Sequence, residues 1–158
     1  MTGDNRGFTL IELVVVITIL AILAAVAIPK FVALQVDARI AKINGALGSM
    51  KAGAVLARSV QLTQQLTPNT SVVMEGVTVN MVNGYPAASS IAIASGIASP
   101  DFNLGTVAPV SGVNQITIST DVNHPNCAIT YSEAAVGGAP TYTVPLDPSL
   151  ATDRAKCS

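Results

Sequence analysis

One carboxylate stands in the worst solvent the chain offers. Glu12 is the single charged side chain between Phe8 and Ile28, and from Leu13 to Ile28 the only polar side chain is Thr18. A carboxylate at the centre of a bilayer costs about 2.5–3.5 kcal/mol on insertion scales, and less towards a helix end. Two kinds of chemistry keep such a residue: it meets a cation buried with it, or it reaches up to interfacial water. Elsewhere the reactive side chains are thin. His124, the one histidine, lies between Asn123 and Pro125 and reads as a loop residue. Cys127 and Cys157 are too few for a four-cysteine zinc site or a disulfide-dense miniprotein. Asp147 and Asp153 offer only two carboxylates to a calcium ion. With no nucleophile motif, phosphate loop or metal spacing, the expectation is no enzyme, no cofactor and no metal.

The elements that must position Glu12 follow from composition. The chain has 158 residues, half of them apolar, with only 4% aromatic and 11% charged. That is one domain with an appendage, and it excludes a disordered chain. A net charge of −1 with no run of Lys or Arg argues against a nucleic-acid binder. A helix over Phe8–Pro29 would be roughly 33 Å long, enough to cross a bilayer core of about 30 Å. A secretory signal is the competing reading, because Ala24–Ala27 offers small residues for cleavage. The length of the apolar run and the carboxylate inside it oppose that reading.

Residues 6 to 13 read Arg-Gly-Phe-Thr-Leu-Ile-Glu-Leu, followed by the uninterrupted apolar run and then Pro29. This resembles the signature of type IV pilins. The resemblance implies a leader over residues 1–7, cleavage between Gly7 and Phe8 by a prepilin peptidase, and N-methylation of Phe8. It makes Glu12 the family's hallmark glutamate and puts Pro29 at the family's proline. Ile28-Pro-Lys-Phe, Leu34-Gln, Asp37-Ala-Arg and Asn83-Gly-Tyr-Pro-Ala resemble, more narrowly, the mannose-sensitive haemagglutinin branch of type IVa pilins. Cleavage creates a cationic amine at the top of an apolar helix. Paired with Glu12 of a neighbouring subunit, it would fix the axial register of one helix against the next, the best-attested use of a buried ion pair.

Beyond Pro29, which should kink or loosen the helix near Ala25–Ile28, the pattern over residues 30–66 becomes amphipathic. Val36, Ile40, Ile43, Leu47, Met50, Ala54 and Ala57 recur in alternating steps of four and three, one stripe at helical spacing. The stripe ends in small residues, which favours a helix laid on a sheet over a coiled coil. Gly45, Gly48 and Gly53 cost about 1 kcal/mol each in a helix, and would suit close approach of another element. Five cations against Asp37 give residues 30–66 a net of +4, and residues 59–158 a net of −4. That asymmetry suits basic spines packed inward as well as it suits plain solvated surface.

Over residues 67–158 apolar alternation predicts strands at Ser71–Met74, Val77–Val82, Gln115–Thr120, Cys127–Glu133 and Thr141–Leu146. Asn83-Gly84-Tyr85-Pro86 reads as a turn, and Ala87–Ser95 as a short helix ending at Gly96. Gly137-Gly138 suggests a hairpin. The region Pro100–Pro125 carries no match to the resembled family, and the tail from Asp147 has no strand pattern. The fold class is α+β: a long amino-terminal helix, transmembrane over 8–29, packed on a small antiparallel sheet. Free buried thiols are the plain reading of the two cysteines; an oxidising periplasm and the pilin resemblance favour a Cys127–Cys157 disulfide bounding the carboxyl-terminal loop.

The resemblance implies a filament subunit serving adhesion or motility, with the major pseudopilin of a type II secretion system as the alternative. The implied partners are further copies of itself in a helical homopolymer, the prepilin peptidase, the inner-membrane assembly machinery, membrane lipid before assembly, and a host or surface receptor. The implied locations are the inner membrane, carboxyl terminus periplasmic, and then the cell surface. The mature chain should begin at methylated Phe8, and Gly7→Ala should leave uncut precursor in the inner membrane. Mass spectrometry of the mature terminus checks this; a terminus near Ala27 would restore the secretory signal.

Overall fold

The structure, a computed structural model, describes residues 8–143 and 145–158. The chain divides into two compact units, Met1–Val36 and Asp37–Ser158. Helix α1 (Leu10–Thr63) begins in the first and ends in the second. In the first unit the described helix is apolar on every side and exposed from Leu10 to Val32. Its one interior hydroxyl is satisfied locally: Thr18 Oγ1 donates to the carbonyls of Val14 and Val15 at 3.0 and 2.8 Å. The helical assignment runs unbroken through Pro29, which corrects the expected loosening there. The ring removes a single N–H from the ladder, and the turns on either side hold.

In the second unit every member of the expected stripe is buried, from Ile40 and Ile43 to Ala54 and Ala57, and Val36 is buried as well. This face of α1 lies on small antiparallel sheets. Strands β1 (Val72–Met74) and β2 (Val77–Val79) form one hairpin, β3 (Met81–Val82) and β4 (Tyr85–Pro86) a second. Ala57, Val72, Val79 and Met81 form a buried cluster between the helix and the first two hairpins. The principal sheet runs β5 (Asn103–Leu104), β7 (Val113–Ser119), β8 (Ala128–Ser132), β9 (Thr141–Tyr142), with β6 (Ala108–Val110) also paired to β7. Two short helices, α2 (Ile91–Ala94) and α3 (Ala151–Lys156), complete the order.

Local differences from the sequence pattern have local causes. The helix stops at Thr63 instead of Leu66. Gln65 takes φ 54°, its N–H bonds Leu62 O and the Leu66 N–H bonds Gln61 O, a Schellman ending built without its usual glycine. The buried Gln61 side chain then donates to the carbonyls of Thr67, Pro68 and Thr70 at 3.0–3.2 Å, fixing the connection that follows. The run Val77–Val82 breaks at Asn80, whose carbonyl accepts the Ala87 N–H and whose N–H bonds Ser90 Oγ, so Met81 starts a new hairpin. Asn83 and Gly84, at φ 54° and 87°, turn that hairpin. Ala87–Ser95 yields only the four residues of α2. Of the expected final strand Thr141–Leu146, the described residues give Thr141–Tyr142, and Val144 lies outside them; Asn44 of α1 brackets Leu146, accepting its N–H at 3.0 Å and donating to its carbonyl at 2.7 Å. Gly53 does meet a neighbour, the Ala94 carbonyl, but Gly45 and Gly48 have open space where a Cβ would stand.

The cations of α1 in this unit turn on their own head. Arg39 donates to the Cys157 carbonyl at 2.9 Å, and Lys42 to the carbonyls of Thr120 and Asp101 while lying over the Phe102 ring. Lys51 sits over Tyr142, Arg58 over Tyr85, and Asp37 pairs with Arg154 of α3. Tyr131, fully buried, donates to the Pro86 carbonyl at 2.6 Å and meets Tyr142 edge to face. Burial, and then the neighbouring Tyr85, pushes the Tyr142 hydroxyl up to about 12.

The disulfide Cys127–Cys157 is formed, with both cysteines fully buried and 30 positions apart in sequence. A cross-link of that loop length contributes about 3–4 kcal/mol in the chain-entropy description. Reduction should therefore lower the melting temperature by about 10 °C and loosen 147–158 first. Calorimetry with and without reductant measures this, and two titratable thiols in the exported protein would refute the bridge.

Candidate functional site

The one charged group of the apolar segment is held by its own helix end. Thr9 precedes the first helical residue, and Glu12 is the third residue of the helix. Glu12 Oε2 accepts the Thr9 N–H at 2.9 Å and the Thr9 hydroxyl at 2.8 Å, while the Glu12 N–H points back to Thr9 Oγ1 at 3.4 Å. This is a capping box, in which the first-turn carboxylate and the cap hydroxyl satisfy each other's backbone donors. The carboxylate also lies at the positive end of the helix dipole. These contacts supply hydrogen bonds but no full counter-charge.

Around this cap the surface is apolar and open. Phe8 is 88% exposed. An open groove of about 380 Å³ is lined by Phe8, Ile11, Val15 and Val16, with Glu12 its single charged member. Gly7, the residue before the expected cleavage, lies outside the described residues, as does the leader. Pro29 lies within α1 and is not brought near Glu12 by sequence, being more than four turns further along. Of the expected site residues, the structure joins Cys127 to Cys157 and sets Phe8 beside Glu12 in one groove.

Several other carboxylates hold backbone N–H groups. Asp121 accepts the N–H groups of Asn123 and His124 at 2.9 Å, and its Oδ1 meets His124 Nδ1 at 2.7 Å. Ser149 holds the Asp147 carboxylate below its ordinary range, and the Asp147 N–H with Lys156 does the same for Asp153. Both oxygens of Glu133 are engaged, by the Ala88 N–H and the Asn114 amide. Among the described residues no three His, Cys, Asp or Glu side chains gather to hold an ion. Thr9 was missed by the sequence reading, although Thr-x-x-Glu before an apolar run is a legible cap signal. Asn44, Gln61 and Tyr131 carry no such signal, since each acts on a backbone carbonyl far away in the fold or in the turn after the helix.

Comparison with known proteins bears on this amino-terminal segment. The family described as the prokaryotic N-terminal methylation motif matches residues 3–28. The type IV major pilin protein PilA of Myxococcus xanthus (strain DK1622) is 64% identical over 31 residues, which is 20% of this chain and 14% of that protein. No solved structure matches the chain. The amino-terminal segment of the chain is thus similar to that of a type IV major pilin and matches the N-terminal methylation motif, while the chain spans about one seventh of that relative's length. The β-rich unit stands outside the matched residues.

Thr9→Val removes the cap hydroxyl and should cost the first turn about 1 kcal/mol, a cap substitution of ordinary size. In the processed chain in micelles, the Glu12 amide should exchange about fivefold faster with solvent, and Thr9→Ser should restore the wild-type rate. Unchanged exchange in Thr9→Val would show that the cap does not hold the turn.

Proposed function

We propose that the chain is the structural subunit of a type IV pilus filament, processed between Gly7 and Phe8 and polymerised through its amino-terminal helix. The observation that carries this reading is an apolar helix exposed on all sides, with one carboxylate whose hydrogen bonds are met by Thr9 but which has no counter-charge among the described residues. Lipid covers such a surface before assembly. Packed against copies of itself, the helix is covered again, and the amine of processed Phe8 on a neighbour supplies the missing cation to Glu12. The precursor and the subunit pool then reside in the inner membrane, with the second unit in the periplasm, and the prepilin peptidase and an inner-membrane assembly machinery act on them. Adhesion and motility are the roles that suit an exposed filament, and a surface receptor would meet the β-rich unit. Short head motifs, Asn83-Gly-Tyr-Pro-Ala among them, support the mannose-sensitive haemagglutinin branch.

Glu12→Val removes a charge from lipid, so insertion should be unchanged or better, and cleavage at Gly7 should survive. Filament yield should fall severely, because the incoming helix loses its register partner. The measurement is filament yield, by electron microscopy of sheared material, from cells whose membranes contain the processed variant and no wild-type subunit. Normal yield would sink the pairing. Loss of protein secretion with no surface filaments, on deletion of the gene, would instead favour the pseudopilin reading.

A further inference from the structure

Among the described residues, a census of charged side chains leaves one cation over. Every described Lys and Arg from Arg39 onward bonds a carbonyl, a carboxylate or a ring face. Lys30 has no such contact among the described residues. Of the carboxylates, only those of Glu75 and Asp101 are similarly without a partner among the described residues. Asp101 has a cation close by, since Lys42 binds its backbone carbonyl. Glu75 has none.

The surroundings of these two residues also match. Glu75 stands exposed at the tip of the β1–β2 hairpin, with φ 51° followed by Gly76 at 81°. It borders a groove of about 310 Å³ whose other lining includes Leu56, Met74, Val77 and Ile93. Leu56, Val77 and Ile93 are each close to half exposed or more, so this is uncovered apolar surface with a single carboxylate at its edge. Lys30 is set among Ile28, Phe31, Val32 and Leu34, all exposed. From Phe8 to Ile28 the exposed apolar helix has no cation, so Ile28–Leu34 is where exposed apolar surface and an unmatched positive charge coincide.

We propose that the groove beside Glu75 is an interaction surface for the Ile28–Leu34 segment of a second copy of this chain, with Lys30 of that copy paired to Glu75. The proposal rests on the filament reading and adds a contact to it. Phe31 and Leu34, three apart on one helix face, supply the apolar surface that covers Leu56, Val77 and Ile93. The ion pair sits at the rim, where it gives orientation and partner choice more than affinity. The contact is heterologous, helix segment to head, and such contacts propagate into rings or filaments and do not close as dimers.

The test is charge exchange in the full chain, read as sheared-filament yield. Lys30→Glu and Glu75→Lys should each lower the yield several-fold, and the double variant should recover to within about twofold of wild type, as coupled pairs do. A second measurement avoids charge reversal: chains carrying Lys30→Cys and Glu75→Cys together should form an oxidative cross-link between subunits in isolated filaments, and neither single variant should. Normal yield from both single reversals overturns the contact. So does a double variant no better than the singles, or filaments of the double-cysteine chain without cross-link. Absence of filaments from the unsubstituted chain overturns the filament reading itself, and this contact with it.

Discussion

An apolar helix with nothing of its own to cover it is the constraint on which the rest depends. Residues 10–32 expose large aliphatic side chains on every face, and water is the one solvent they exclude. Either lipid or protein must surround them. Because Thr18 is satisfied by the preceding turn and Glu12 by its cap, these two polar groups need no partner in order for the segment to remain a helix. Glu12 needs a partner only to match charge.

The second unit engages most of its own charged groups internally. Its half of α1 is basic, yet those cations are consumed by carbonyls and rings of the same unit. Lys42 closes on Asp101 and Thr120, Arg39 on Cys157, and Asp37 on Arg154. The disulfide and the Asn44–Leu146 bracket draw the carboxyl-terminal tail onto the helix. The cations behind the charge asymmetry seen along the sequence are thus held in place by contacts within their own unit. What remains is local: one lysine in the exposed apolar helix and one glutamate beside an exposed apolar groove.

Legibility in the sequence followed the range of the interactions. The stripe from Val36 to Ala57 was visible because helical burial is periodic, and all seven positions are buried. The turn at Asn83-Gly84 was visible because positive φ favours such residues, but Tyr85 and Pro86, read as part of that turn, form strand β4 by pairing with β3. Glu12 was visible because a charge inside an apolar run is rare. Gln65 ending the helix in a left-handed conformation was not visible, since no glycine marks it. Strands β5 and β6, each two or three residues long, exist through pairing with β7 and have too little pattern of their own. The Asn44 bracket spans 102 positions, and no local pattern encodes that distance. Gly45 and Gly48 were read as close-packed and are open, because a glycine in a helix looks the same in sequence whether or not anything approaches it.

The same physics sets what can discriminate an assembling helix from a merely inserted one. Lipid tails are as apolar as leucine, so moving an aliphatic side chain from lipid to a protein neighbour gains little hydrophobic free energy. Surface area alone cannot drive the helix out of the bilayer or select its register. Packing detail and the few polar groups must do so. In the isolated chain the Glu12 carboxylate has two hydrogen bonds from Thr9 and a favourable helix dipole, which lower the cost of keeping it in lipid without cancelling its charge. In the proposed filament, a neighbour's amine would add an interaction that the inserted state lacks, and at one axial position only. A valine there would be more comfortable in lipid and would leave every register nearly equal. On the proposed pairing, Glu12 would trade some stability in the membrane for a preference among packed arrangements, and the Thr9 cap would limit how much stability is traded.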